Sequence, residues 1–120
     1  MIASDTSLLV PYFRGGKGPD IDKLHLSIKG GNLILPPVVL MELLSDPSPP
    51  RSFHAILSEI DVMTIGDGFW ERAGANRVKL LSFGLKTKIA DALISQSCID
   101  HDVPLMTRDG DFQRFAKHCG

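Results

Sequence analysis

The chain has 120 residues, of which 43% are hydrophobic and 22% are charged. These proportions are typical of a soluble globular protein. The net charge is −1, so no overall attraction to a polyanion is expected. Prolines and acidic residues break the longest apolar stretch before the ~20 residues that a membrane-spanning helix needs, so no membrane contact is expected.

The cysteines and the N-terminal residues bear on the compartment. Cys98 and Cys119 are the only cysteines, and they do not have the spacing of a zinc site or a disulfide framework. The first residues lack a basic segment and reach Asp5 at once, so no secretory signal peptide is predicted. We therefore expect a cytoplasmic protein.

Short apolar runs, glycines and prolines divide the chain into alternating strands and helices. Asp20 and Asp67 precede two of the helices and are predicted to cap them. In chain order the predicted elements are strand 1–4, helix 7–14, a glycine-rich loop 14–19, helix 20–29, strand 33–35, helix 38–44, a proline-rich break 46–50, helix 52–59, strand 62–65, helix 67–82, loop 84–88, helix 89–101, strand 103–106 and helix 111–117.

This alternation predicts the fold class. Strands that are apolar throughout are typical of a parallel sheet that helices cover on both faces. We therefore predict one α/β domain over residues 1–120, with three layers (α/β/α) and a central parallel sheet of four or five strands. Four strands are evident in the sequence, and the presence of a fifth is left open.

Five carboxylates lie where such a sheet forms its sites. Open parallel sheets bind ligands at the carboxyl ends of their strands. Asp5 follows the first strand, and Asp109 and Asp111 follow the fourth. Glu42 and Asp91 interrupt the apolar helical segments "VVLMELL" and "IADALI". An unpaired, ionised carboxylate in an apolar setting costs several kcal/mol or becomes protonated.

Each carboxylate also has an ordinary structural interpretation, and these alternatives stay open for single residues. Asp5 and Asp91 suit helix N-termini, Glu42 could reach solvent, and Asp109 and Asp111 could form a turn with Asp111 as the helix cap. Together they would need a cation, because like charges within ~4–6 Å raise one another's pKa. Carboxylate oxygens favour Mg²⁺ or Mn²⁺ over zinc or copper.

Four motifs occur in a family-like order: "DTS" at 5–7, the glutamate of "PPVVLMELL", "KIADALISQ" around Asp91, and "TRDGDF" at 107–112. Two further stretches, "YFRG" and "HDVPLMT", accompany them. Together they resemble the PIN domain, and more narrowly the VapC-type toxins of bacterial and archaeal toxin–antitoxin pairs. The resemblance runs from Ile2 to about Phe115.

The resemblance implies a ribonuclease with one or two Mg²⁺ or Mn²⁺ ions, which activate water for hydrolysis of RNA. It implies catalytic and metal-binding roles for Asp5, Glu42, Asp91 and Asp109, and an additional metal-site carboxylate at Asp111. Thr6 or Ser7, together with Thr107, would orient carboxylates or the phosphate. A cognate antitoxin and a homodimer are also implied.

Basic residues near the predicted site edge could hold RNA phosphates without reading the base sequence. Apart from the five carboxylates, nine acidic residues remain against 13 basic ones, so the rest of the chain is positive. The predicted phosphate contacts are Arg14, Lys86, Lys88 and Arg108, although for any one of them taken singly an ordinary solvated charge is the favoured interpretation.

Two other functional classes were weighed against the nuclease. One is a catalytically inactive PIN-like module that binds RNA or protein, which the complete acidic set disfavours because clustered idle carboxylates destabilise a fold. The other is a phosphotransfer protein. A haloacid-dehalogenase-type phosphatase needs an aspartate two positions after Asp5, where Ser7 stands, and a receiver domain needs an acidic pair after the first strand.

Overall fold

Four short parallel strands form the centre of the protein, described here by a computed structural model of residues 1–120. The strands are β1 (Ala3–Ser4), β2 (Ile34–Leu35), β3 (Asp61–Val62) and β4 (Leu105–Met106). The helices are α1 (Thr6–Phe13), α2 (Pro19–Lys29), α3 (Pro37–Leu44), α4 (Phe53–Leu57), α5 (Phe69–Ser82), α6 (Ile89–His101) and α7 (Gln113–Cys119), and a 3₁₀ turn (Gly110–Phe112) precedes α7.

The strands pair in parallel, in the order β3, β2, β1, β4. Ala3 pairs with Leu105 and Ile34 pairs with Asp61, so β1 lies beside β4 and β2 lies beside β3. A single bridge between Ile2 and Leu33 joins the two pairs. This arrangement confirms the predicted α/β class with a parallel sheet. It has four strands and no fifth, and β4 is paired on one side only.

Helices pack in two groups around this sheet. α1 contacts α2 and α3, while α5 contacts α6 and α7, and α3 also contacts α6. Leucines form much of the core because they fill the space between helices and strands, and Leu8, Leu24, Leu35 and Leu80 are almost completely buried. No helix of the chain combines the length and apolar character required to cross a membrane.

The beginning of α3 shows how sequence fixes an element that carries a site residue. β2 ends at Leu35 because Pro36 and Pro37 lack the backbone N–H that a strand ladder requires. Pro37 then takes the first helical position, where its fixed φ suits a helix and its missing N–H costs nothing. This junction places Glu42 on the sixth residue of the helix.

Two predicted helix caps are wrong. Gly18 and Gly68 hold the N-cap positions of α2 and α5, at φ values of 143° and 78° that favour glycine. Asp20 instead lies inside α2, where it accepts hydrogen bonds from Arg108. Asp67 does not cap α5 through its side chain. Backbone conformation, rather than a side-chain hydrogen bond, therefore starts both helices.

Candidate metal centre

The fold brings the five predicted carboxylates towards one edge of the sheet. Asp5 directly follows β1, and Asp109 comes three residues after the end of β4. Asp111 lies in the 3₁₀ turn, Glu42 is on α3, and Asp91 is the third residue of α6. Parallel strands end at the same edge, so residues far apart in sequence meet there.

Three of the five form the closest group. Asp91, Asp109 and Asp111 each offer a carboxylate oxygen, and these oxygens all lie within 4.8 Å of one another. Asp91 and Asp109 are half-buried, whereas Asp111 is exposed. Such spacing is suitable for sharing a cation, because three ionised carboxylates this close would otherwise repel one another.

Asp5 is held by two hydroxyl groups. Ser7 Oγ donates to Asp5 Oδ1 over 2.7 Å, and Thr107 Oγ1 donates to Asp5 Oδ2 over 2.8 Å. The backbone N–H groups of Arg108 and Asp109 in turn donate to these two hydroxyl oxygens, each over 2.9 Å. The carboxylate is therefore fixed between the ends of β1 and β4.

These hydrogen bonds show whether Asp5 acts as a helix cap and which of the predicted hydroxyl groups contacts it. Asp5 occupies the N-cap position of α1, but its side chain makes no capping hydrogen bond, so capping does not account for it. Of the two hydroxyls predicted after Asp5, Ser7 supplies the contact, whereas Thr6 makes no hydrogen bond through its side chain. Thr107, also predicted to orient a carboxylate, supplies the second hydroxyl contact to Asp5.

Electrostatics links Asp5 and Glu42 to the closest group. Asp5 is only 4% exposed, and burial raises the pKa of its carboxyl, with the charge of Asp109 adding to the rise. Burial likewise raises the pKa of Glu42, followed by the charges of Asp5 and Asp91. Both residues lie outside the closest three, yet they belong to the same electrostatic cluster.

Glu42 also has an incomplete set of contacts. Its Oε1 atom is buried and accepts no hydrogen bond. A buried carboxylate oxygen without a partner carries a large desolvation cost, which a bound cation would offset. Glu42 is thus half-buried, with at least one carboxylate oxygen shielded from solvent.

Charges of both signs act on the carboxyl of Asp91. Burial raises the pKa of its carboxyl, Asp109 adds to the rise, and the positive charge of Lys88 opposes it. Asp111 and Asp5 raise the pKa further. Asp91 lies in the first turn of α6, where the helix dipole favours a negative charge, but its neighbours are mainly other carboxylates.

The donor atoms of this cluster suit a hard divalent cation. All five candidate ligands are carboxylates, and oxygen ligands of this kind favour Mg²⁺ or Mn²⁺. Cys98 is a buried thiol, and burial raises its pKa to about 12, with the charge of Asp5 adding to the rise.

The turn after β4 differs in one detail from its predicted geometry. Asp109, not Asp111, provides the cap of the 3₁₀ turn, since Asp109 Oδ1 accepts from the backbone N–H of Asp111 over 2.9 Å. Asp111 therefore keeps its carboxylate free of capping. Arg114 reaches it at 3.7 Å, a contact that the sequence analysis missed although the three-residue spacing on a helix indicates it.

The four predicted phosphate contacts divide into two kinds. Arg14 forms an ion pair with Asp46, and Arg108 forms a two-pronged pair with Asp20 over 2.6 and 2.8 Å. Lys86 and Lys88 are exposed, and neither makes an ion pair within 4.0 Å. The two lysines therefore keep ammonium groups free, while the two arginines are engaged within the chain.

A groove with a volume of about 700 Å³ is lined by residues of β4, α6 and α7. It borders the carboxylate cluster only through Thr107, Arg108 and Asp109. Its other lining residues come mainly from α6, α7 and the segment before β4. The groove and the carboxylate cluster are thus adjacent but separate features of the surface.

Comparisons with known proteins agree with this fold. A family model described as the PIN domain matches residues 2–118. Among curated proteins, none matches the sequence. Two crystal structures share the fold at identities that support no more than a common fold. VapBC2 from Rickettsia felis, bound to a DNA fragment from the promoter, aligns with a TM-score of 0.74 at 19% identity.

That alignment covers 99% of this chain and 94% of the other. FitAcB from Neisseria gonorrhoeae aligns with a TM-score of 0.68 at 16% identity, covering 95% of this chain and 92% of the other. The family model, which spans nearly the whole sequence, settles the relationship that the motifs indicated. The chain is a member of the PIN domain family.

Proposed function

We propose that this protein is a Mg²⁺- or Mn²⁺-dependent endoribonuclease, and that it acts in the cytoplasm as the toxin of a toxin–antitoxin pair. The convergence of five carboxylates from separate segments carries this proposal. Three of them, Asp91, Asp109 and Asp111, bring oxygens within 4.8 Å of one another. Membership of the PIN family supports the same reaction class.

The cluster fits one or two divalent ions. Asp5, Glu42, Asp91 and Asp109 are the proposed ligands and catalytic residues, and Asp111 is an additional one at the exposed side. Two observations support the binding of a cation here. Oε1 of Glu42 has no hydrogen-bond partner, and the pKa values of Asp5, Glu42 and Asp91 are raised. When bound, such an ion supplies Lewis acidity at phosphate oxygens and lowers the pKa of a coordinated water.

The residues of the chain provide orientation for this chemistry. Ser7 and Thr107 each donate a hydrogen bond to one oxygen of Asp5. These two bonds fix the orientation in which the carboxylate would bind a metal ion. The backbone of Asp109 is held through its N–H bond to Thr107. Ser7 and Thr107 serve as donors to Asp5, and a metal-bound water would supply the nucleophile, so hydrolysis requires no side-chain nucleophile.

A toxin role and its partners rest on the VapC-like motifs. The likeness in fold to VapBC2 and FitAcB supports placing the chain in this group. A cognate antitoxin and a homodimer are therefore part of the proposal. Light scattering of the purified chain would report the dimer, and co-expression with the product of a neighbouring short reading frame would report the antitoxin.

A cleavage assay tests the nuclease directly. Purified protein, free of any bound partner, would be incubated with structured RNA and Mn²⁺ or Mg²⁺. We expect the wild type and Asp22→Asn to cleave, because Asp22 is exposed on α2 and outside the site. Asp5→Asn and Asp91→Asn should lose cleavage while keeping the circular dichroism spectrum of the folded protein. Equal cleavage by all four proteins would contradict the proposal.

The same assay separates the nuclease from an inactive PIN-like module. A folded wild-type chain that binds RNA but leaves it intact with either metal would favour the binding module. The complete carboxylate set argues for the enzyme, because unneutralised clustered charges only reduce stability.

A further inference from the structure

The segment between α5 and α6 has a backbone that two arginines hold in place. Arg114 Nη1 donates to the carbonyl of Lys86 over 2.6 Å. Arg77 donates to the carbonyl of Thr87 through Nε and Nη2, over 3.2 and 3.1 Å. We call Lys86, Thr87 and Lys88 the lysine loop. Charged donors on two successive carbonyls fix its course, although the loop is at the surface.

The lysine loop is adjacent to the carboxylate cluster. Arg114, which binds the carbonyl of Lys86, also lies 3.7 Å from the carboxylate of Asp111. Lys88 occupies the N-cap position of α6, three residues before Asp91. Its charge partly offsets the rise that burial and Asp109 cause in the pKa of Asp91. The backbone of the loop therefore lies beside the exposed side of the cluster.

The two lysines of the loop are free to bind an anion. Neither makes an ion pair within 4.0 Å, and both are exposed. Arg14 and Arg108, by contrast, already have carboxylate partners in Asp46 and Asp20. Lys86 and Lys88 thus place two uncommitted positive charges on one segment whose backbone is held in place.

We propose that the lysine loop binds the phosphates of the RNA backbone that flank the bond to be cleaved, through the ammonium groups of Lys86 and Lys88. This inference rests on the proposed nuclease function and names the part of the surface that positions its substrate. Lysine acts as a point charge towards phosphate, so the loop positions the chain of phosphates without reading bases.

The loop therefore predicts a measurable dependence on salt. Each phosphate contact on a single strand contributes about −0.7 to the slope of log K against log[salt]. Loss of both lysine contacts should reduce the slope by about 1.4 and weaken binding about 25-fold at about 0.1 M salt. Loss of one contact should weaken it about fivefold.

Fluorescence anisotropy with a labelled oligouridylate of about 12 nucleotides tests this. An Asp5→Asn parent in Mg²⁺ prevents turnover during the measurement. Lys86→Gln combined with Lys88→Gln would be compared with Lys23→Gln combined with Lys29→Gln, which removes the same charge from exposed positions on α2. We expect the reduced slope only in the loop variant, with all proteins folded by circular dichroism.

An unchanged slope in the loop variant, an equal loss in the α2 control, or no binding by the parent would overturn the proposal.

Cleavage by chains with intact Asp5 is a separate readout. Where the wild type cleaves, the loop variant should show a raised KM and an almost unchanged kcat. Failure of the wild type to cleave would refute the proposed function, whereas the salt slope would still decide whether the loop binds phosphate.

Discussion

Thr107 donates its hydroxyl hydrogen to Asp5 Oδ2 over 2.8 Å, although 102 residues separate the two in sequence. The contact joins the end of β4 to the end of β1, because these strands are paired neighbours in the sheet. It also makes the orientation of a proposed catalytic carboxylate depend on a hydroxyl group from the other end of the chain.

Replacement of Thr107 by valine should therefore impair activity without removing any carboxylate. Valine keeps the shape of threonine but loses the donor to Asp5 and the acceptor for the N–H of Asp109. Loss of a group that orients a metal-binding carboxylate typically costs about 10–100-fold in activity or metal affinity. Cleavage rates and metal titration would measure the loss, and Thr107→Ser should retain most activity. A valine variant as active as the serine variant would contradict this role.

Metal binding should stabilise the folded protein. At a metal concentration of about 100 times the Kd, the free energy of unfolding should rise by about 2.7 kcal/mol. Urea unfolding with and without Mn²⁺ would measure this difference. Asp91→Asn should lose most of it, because Asp91 belongs to the closest carboxylate group, while Asp22→Asn should retain it. An equal gain in both variants would show that the metal binds elsewhere.

Stability without metal should fall as pH rises through the titration range of the buried carboxylates. Asp5, Glu42 and Asp91 have pKa values above those of ordinary carboxyls, mainly because they are buried. Between the unfolded and the folded pKa of each group, the folded state binds more protons than the unfolded state. The free energy of unfolding therefore decreases with pH in that window and stays lower above it.

Glu42→Gln should flatten this dependence, because it removes one buried charge and weakens the repulsion on Asp5 and Asp91. Urea unfolding from about pH 4.5 to pH 8 in the presence of a chelator would test it. Asp20 and Asp46 have lowered pKa values, so their contribution to the free energy of unfolding increases with pH. That increase occurs chiefly below about pH 4.5 and should not mask the decrease caused by the buried carboxylates. Parallel curves for the variant and the wild type would refute the assignment.

The junction that carries Glu42 depends on the core beneath it. Leu35 is the last residue of β2 and is fully buried, so Leu35→Ala should lower the free energy of unfolding by about 2–5 kcal/mol. Leu26 is 70% exposed on α2, and Leu26→Ala should change the free energy of unfolding by no more than about 0.5 kcal/mol. Chemical denaturation would compare the two, and similar losses would contradict the packing described here.

Much of the fold could be predicted because it depends on local patterns. Helix α6 spans Ile89–His101 as predicted, since its apolar residues and the preceding loop mark both ends. Strand bounds were less accurate: β3 is Asp61–Val62 rather than 62–65, because pairing with β2, and not apolar character, determines where a strand exists. The helix caps at Gly18 and Gly68 required backbone angles that side-chain preferences did not indicate.

The sequence by itself determined which carboxylates follow strands or interrupt apolar helices, because strand ends and apolar patterns depend on residues that are close together in the chain. The tertiary structure decided that Ser7 rather than Thr6 contacts Asp5, and that Asp109 rather than Asp111 caps the 3₁₀ turn. It also left Glu42 Oε1 without a donor, and of the four predicted phosphate contacts it paired Arg14 and Arg108 with carboxylates but not Lys86 and Lys88. These outcomes depend on side-chain directions and distances between remote segments, which only packing fixes.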